Sequence, residues 1–361
     1  MLLRVPNDAN AYKMFETLND RELRTSQADL IKNYLFGRSG ARFQEVQSRW
    51  AYMRGALEGL DDEDITINFL RHSLIVMRGY LREAQVYDAV QEAVKGEHGA
   101  VTFASTLENL SSSYVATFYP EHENWNGYPD SVRRAIEVLN LLNIKPMRPL
   151  LLAVAAKFSQ KEASLAYKFL VALSVRLIIA SSTQSGSVEV PLAAASHAIF
   201  VEGIITASDL KLRLSDITPT DVEFKTEFET TRVTASRSAR YYLRSLEMAA
   251  KDEREPWFIP NDDRSIINLE HILPKKPLSN WPEFKTEEVS IWSNRLGNQA
   301  LMRASDNSDL QSDCFVDKKA VYAKSPYVLT SQVASAARWD TAAIAERQKS
   351  LADLAVKTWP T

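Results

Sequence analysis

The chain has a single cysteine, Cys314, in 361 residues. A disulfide scaffold and a multi-cysteine zinc site are both excluded within one chain, and a reducing cytoplasm is the expected setting. Cys314 reads as a small buried hydrophobe rather than a nucleophile. No run of about 18 apolar residues occurs, so no membrane-spanning helix is expected. The nearest stretch, Pro149 to Lys157, is short and ends in a lysine. The opening MLLRVPNDANAY lacks the apolar core of a signal peptide. Charge of one sign is also missing. A formal net charge of −3 argues against broad electrostatic coating of nucleic acid, while a local groove or a basic partner could still supply phosphate contacts. There is no GxxxxGK[ST] loop, so intrinsic nucleotide hydrolysis is not expected, and no repeat at solenoid spacing. His72, His98, His122 and His197 are scattered without partners at ligand spacing and read as surface or satisfied histidines.

What remains is the composition of an ordinary globular protein, 45% hydrophobic and 25% charged, in a length that suggests two or three structural units. Apolar residues recur at helical spacing through most of it. Asn7 or Asp8 can cap a first helix carrying Ala11, Met14, Phe15 and Leu18, and Ser26 begins a second with Leu30, Ile31, Tyr34 and Leu35. Phe43, Val46, Trp50, Met53 and Leu57 form the next stripe. Further helices are predicted over Ile65 to Tyr80, Ala84 to Val94 (ended by Gly96 and Gly99), Leu107 to Phe118, Ser131 to Leu142, Met147 to Phe158 and Glu162 to Ser181. A polar loop or short hairpin follows, then helices at Thr206 to Leu214, Pro219 to Thr230 and Ser236 to Ala250. Arg237, Arg240 and Arg244 share one face of the last. A solvated face pairing with acids such as Glu247 suits them at least as well as phosphate does. The charged, proline-containing residues 251 to 264 mark a boundary. Within it lies Trp257 and beyond it Trp281, Trp292, Trp339 and Trp359, as suits a small domain whose thin core leans on large aromatics.

The chemistry concentrates between Asn268 and Lys319. Ser265 to Leu269 reads as a short strand with Glu270 and His271 at its end, and Pro274 keeps a helix from following at once. Neighbours on an extended chain point to opposite sides, so acid and histidine are expected to flank a phosphate through a turn. Leu296-Gly297-Asn298 reads as a turn whose asparagine can hold the histidine ring. Asn307 is expected to open a helix running through Phe315 to Tyr322. Asp309, Asp313 and Asp317 line one face of it, and Lys318 and Lys319 follow within reach of phosphate. Lys275 and Lys276 could steer phosphate or form a wet loop. An acid, a histidine and spaced amides suit phosphodiester hydrolysis: the imidazole deprotonates water, and a hard cation such as Mg2+ or Mn2+ takes the oxygen ligands and the developing charge.

These residues resemble the HNH (His-Me finger, ββα-metal) nucleases, and most closely the C-terminal nuclease domain of the GmrSD-type restriction endonucleases. His271, Ile272, Pro274 and Trp281 fit the opening of the family pattern, and Arg295, Leu296, Gly297, Asn298, Leu301 and Asn307 its middle. Phe315, Lys318, Lys319, Tyr322 and Ser325 continue it, and Trp339, Ile344, Arg347 and Trp359 match its close. YKMFETLNDRELRTSQADLIKNYLF also looks like a GmrSD segment, with Glu22 where the family usually has glycine. The resemblance implies His271 as general base, Glu270 as a metal ligand where many relatives have aspartate, Asn298 as the residue orienting the histidine, and Asn307 as the second ligand. Arg295 joins Lys275, Lys276, Lys318 and Lys319 as an expected DNA contact. The family's N-terminal DGQQR motif is absent from the sequence, so the expectation is either that a partner subunit supplies recognition or nucleotide gating, or that the gene is a truncated remnant.

The expectation is a mainly α protein. Residues 1–40 would be a helical remnant of the family's N-terminal module, 41–250 a helical domain, and 251–361 a small α+β HNH (ββα-metal) nuclease domain. The expected function is a metal-dependent endonuclease cutting DNA in defence against phage or foreign DNA, with modified bases as one option for what it reads. The alternative is a catalytically inactive assembly or DNA-binding subunit of a restriction-type complex. An RNA-cleaving toxin is a third idea.

Overall fold

A computed structural model describes residues 27–62, 64–180, 187–253, 266–277, 279–304 and 313–361. The expected first helix, Trp257, Asn307, Asp309 and most of the boundary stretch lie outside the described residues. The protein is mainly α, as its periodicity implies. In chain order the helices are α1 (Gln27–Arg38), α2 (Phe43–Leu57), α3 (Ile65–Arg78), α4 (Val86–Ala93), α5 (Gly96–Ala116), α6 (Asp130–Leu142), α7 (Arg148–Lys157), α8 (Gln160–Ile179), α9 (Glu189–Val201), α10 (Ala207–Arg213), α11 (Asp221–Phe228) and α12 (Ser236–Ala250). There follow β1 (Ile267–His271), α13 (Thr286–Trp292), β2 (Gln299–Arg303), α14 (Phe315–Tyr322), α15 (Val328–Ser331) and α16 (Thr341–Thr358). Among the described helices none is long and apolar enough to cross a membrane.

Two compact units emerge, interleaved in sequence. The first takes the described residues up to Asn126 with Pro146–Phe158 and Leu192–Ile205. In it α2 packs along α5 through Val46, Trp50, Met53 and Leu57, all buried. Phe43, expected in that stripe, is 41% exposed. Helix α5 begins at Gly96, well before the expected start at Leu107. Gly96 takes φ 72° and turns the chain out of α4, a conformation that suits glycine, and the next helix starts at once. Gly99 lies inside α5, where an added Cβ would meet Val94 Cα at 3.3 Å. Helix α9 went unread in the sequence because it buries Leu192, Ala193, Ala195, Ala198 and Ile199 and has no polar stripe to set a period.

The second unit comprises Gly127–Lys145, Ser159–Pro191 and the described residues from Thr206 on. Here α6 packs on α8. Arg176 of α8 is wholly buried and reaches three places: Nε donates to Trp359 O (2.9 Å), Nη1 to Pro219 O (2.9 Å) and Nη2 to Asp221 (2.6 Å). This clamp ties α8, the start of α11 and the end of α16 together, with every arm of the guanidinium used. Helix α16 packs against α11, α12 and the Leu296–Asn298 turn. Glu247, buried on α12, accepts from Val328 N (2.7 Å) and Leu329 N (2.9 Å), closing the N-terminus of α15. Strands β1 and β2 pair antiparallel, Glu270 opposite Ala300 and His271 opposite Gln299. Under them lies a small core of Ile272, Leu273, Trp281, Phe284, Met302, Phe315, Tyr322 and Trp339 among others, weighted to aromatics as expected.

Candidate active site

Glu270 and His271 are the last two residues of β1. The expected turn between them does not form: both stay in the ladder, opposite Ala300 and Gln299, and the pleat sends their side chains to opposite sides. Glu270 turns inward, 6% exposed. Its Oε1 accepts from Lys318 Nζ at 2.6 Å and from Tyr322 Oη at 3.0 Å. Burial pushes its carboxyl up from the ordinary range, against the pull of the Lys318 ammonium. Tyr322, buried beside it, is raised well above a free phenol, first by burial and then by the Glu270 charge.

His271 faces the other way and is half-buried. Burial, then the charges of Lys275 and Lys318, push its pKa down to about 4, so the imidazole is neutral near pH 7. Its Nε2 lies 3.5 Å from the side-chain nitrogen of Gln299. Gln299 is fully buried, and that nitrogen donates to Val233 O at 2.8 Å. Turning the amide over would set its oxygen against the Val233 carbonyl, so Gln299 presents N–H to the ring. In the tautomer with the proton on Nδ1, that N–H meets the Nε2 lone pair. At this length the contact is weak enough to yield to a bound water.

The strand end is held by Asn298, 0% exposed. Its Oδ1 accepts from Leu273 N (2.8 Å) and Trp339 Nε1 (2.9 Å), and its Nδ2 donates to Leu273 O (3.0 Å) and Ser293 O (3.2 Å). The backbone adds Ile272 N to Asn298 O at 3.0 Å. The bonds to Ile272 and Leu273 hold the chain just past His271, those to Ser293 and Trp339 anchor the amide, and none goes to the ring; the amide braces the backbone from which the ring hangs. Gly297 beside it has no room for a side chain, since a Cβ would meet Ile344 O and come within 2.8 Å of Gln348 Cβ. Gln348 and Arg347 of α16 hold the same turn, through Gly297 N (3.1 Å) and Gly297 O (2.6 Å).

The expected phosphate contacts fall into two groups. Lys275 and Lys276 are exposed, directly after the Glu-His motif. Lys318 is instead fully buried on Glu270, because α14 begins at Phe315 and its inner face carries Lys318 with Phe315 and Tyr322. Asp313 precedes that helix rather than lying on it. Lys319 donates to Ala336 O at 2.8 Å. Arg295 donates to Glu229 O at 3.0 Å and lies over the Trp292 ring. Cys314 is partly exposed, its thiol 3.0 Å from Asp317. Gln299 was missed in the sequence, since a glutamine beside an LGN turn carries no motif signal. So was Arg232, exposed, which bridges to Arg295 through the backbone next to Val233.

The donor set does not fit a divalent cation as the described residues stand. Among the described residues the carboxylate at the site is Glu270, already shared by an ammonium and a phenol. Among the described residues no group of three His, Cys, Asp or Glu side chains is placed to hold a metal. The expected second ligand, Asn307, lies outside them.

Residues 218–354 match the model of the GmrSD restriction endonucleases, C-terminal domain. This segment is similar to the C-terminal domain of that family. The GmrSD match runs from just before α11 through most of α16 and contains Glu270, His271, Gln299, Asn298 and Lys318, so the site lies in a domain of restriction-nuclease type. It covers less than half of the chain and does not extend to the helices before α11. No curated protein matches the chain.

Proposed function

We propose that the chain is an HNH-type endonuclease that hydrolyses DNA phosphodiester bonds in defence against foreign DNA, with His271 as general base. The observation that carries this is a neutral imidazole, half-buried at the end of β1, inside a segment similar to the GmrSD C-terminal domain. The antiparallel pair β1–β2 followed by α14 supports the HNH reading, with the histidine closing the first strand and α13 lying in the connection between the strands. Neutral His271 takes the proton from the attacking water. Asn298 fixes the backbone beyond it, Gln299 directs an N–H toward Nε2, and Lys275, Lys276 and Arg232 offer positive charge for phosphate. Mg2+ or Mn2+ would supply charge for the leaving oxygen. The described residues give that ion no ligand set, so every step above belongs to the chain's own side chains. Recognition of the DNA, modified or not, falls to the helical body or a partner subunit.

The test is plasmid nicking by the purified full chain with Mg2+, with Mn2+ and with a chelator, beside His271→Ala. Nicking by the wild type that the variant loses supports the reading. If neither cation elicits nicking, or the variant nicks equally, the enzyme reading is lost. The clamp on Glu270 favours a second reading, a DNA-binding or assembly subunit whose cutting site is closed. It predicts duplex DNA binding without cleavage in the same samples.

A further inference from the structure

The Lys318 ammonium sits among three oxygens: Glu270 Oε1 at 2.6 Å, His271 O at 3.3 Å and Ile272 O at 3.3 Å. An ammonium has three donors, and these contacts use all of them. Lys318 is 0% exposed and its counter-charge, Glu270, is 6% exposed, so nothing here is a surface ion pair. Tyr322 Oη donates to the same carboxylate oxygen at 3.0 Å, and the Trp281 ring lies with its centroid 5.9 Å from Nζ. One carboxylate and two backbone carbonyls converging on a point are the donor chemistry of a hard cation. Here the point is filled by a side chain of α14.

We propose that Lys318 is a tethered cation that takes the coordination a metal would otherwise draw from Glu270, and that it is a positioning residue for His271, gripping that residue's own carbonyl. Glu270 is the counter-ion of Lys318 rather than a metal ligand. The consequence is local. The carbonyls of the last β1 residue and the next are pinned to α14 in the absence of any ion, so the strand end keeps its shape whether or not a metal visits the other side of the ladder. A divalent ion, where the reaction uses one, is held without Glu270.

Two measurements need no activity. The first is Mn2+ binding to the full chain, read by electron paramagnetic resonance, for wild type and Glu270→Gln. The expected result is the same affinity in both within about twofold, or no binding in either; a loss of about tenfold or more in the variant, the size expected when a ligand shell is disturbed, overturns the proposal. The second is a melting cycle over Glu270→Gln, Lys318→Met and the double variant. Each single change leaves one buried charge without its counter-charge and lowers Tm. The double change removes both charges and recovers most of the loss. Additive losses, or a double variant no more stable than the singles, overturn it.

The positioning role rests on the nuclease reading and has its own readout. In the refolded double variant kcat for nicking falls about 10- to 100-fold with KM for DNA unchanged; wild-type kcat there refutes it. A wild type that does not nick sinks the nuclease reading alone, because the Mn2+ and melting results still decide whether Lys318 holds Glu270.

Discussion

His72 and His271 look alike by the measure most often used to pick out catalytic histidines. Both are half-buried residues, and both rings lie in surroundings dense enough to push the pKa down, to about 3 and about 4. Each also has two cations near it, Arg71 and Arg148 for His72, Lys275 and Lys318 for His271. Yet His72 sits in the body of α3, its Nδ1 3.0 Å from the Tyr114 hydroxyl, inside a helical unit. His271 closes a strand, with exposed lysines just beyond it and a braced turn behind it. A depressed pKa reports burial. What separates a working histidine from a structural one is access to substrate and a backbone held by bonds that bypass the ring.

The comparison breaks most decisively on activity. His271→Ala should lower kcat for plasmid nicking by about 10²- to 10⁴-fold, the usual worth of a general base. His72→Ala should leave nicking unchanged and cost stability instead, about 1–3 kcal/mol for the stranded Tyr114 hydroxyl, read by urea unfolding. Equal loss of nicking in both variants would erase the distinction.

Much of this could be read from the residues, and the limits are physical. The stripe Val46, Trp50, Met53 and Leu57 was legible because one face is buried and the other wet. Helix α9 was not, because it is apolar on nearly every side. The strand carrying Glu270 and His271 was legible from its short apolar run before Pro274. The partner of Glu270 was not: Lys318 lies 48 residues away, and a lysine after an acidic stretch reads as a surface residue until the fold turns it inward. Asn298 was singled out for the histidine ring, whereas its four bonds go to Leu273, Ser293 and Trp339. A sequence shows that an amide is wanted at a turn but not which of its neighbours will fill it.

The brace offers the next sharpening. Asn298→Ala strands the Leu273 N–H and the Trp339 indole N–H together with two carbonyls, so it should cost about 3 kcal/mol or more and lower kcat as the His271 backbone loosens. His72 has no counterpart to lose, since a regular helix carries it. Differential scanning calorimetry with nicking assays on the same samples checks both effects; a stable Asn298→Ala protein would show that the turn is held by α16 alone. Gly297→Ala tests that alternative at smaller expected cost. Its methyl group runs into the Ile344 carbonyl and the Gln348 side chain, so α16 must shift, for about 1–3 kcal/mol. An unchanged urea midpoint would mean that the helix moves aside freely.

The smallest effect is a slope. Each histidine binds its proton more weakly folded than unfolded, where the ordinary value is 6.5. Between those values the unfolded chain carries the extra proton, so stability is whole above pH 6.5. It declines as pH falls, down to about 4 for His271 and about 3 for His72. One proton limits the slope to about 1.4 kcal/mol per pH unit for each ring. Urea unfolding between about pH 6.5 and 5, above the range where most carboxylates titrate, should therefore give a shallower decline in His72→Gln and in His271→Gln than in the wild type. The two flattenings should be alike, although only one of the two substitutions abolishes cleavage. A slope that changes in His271→Gln alone would mean that the His72 ring is protonated on ordinary terms, and that burial had told the two histidines apart after all.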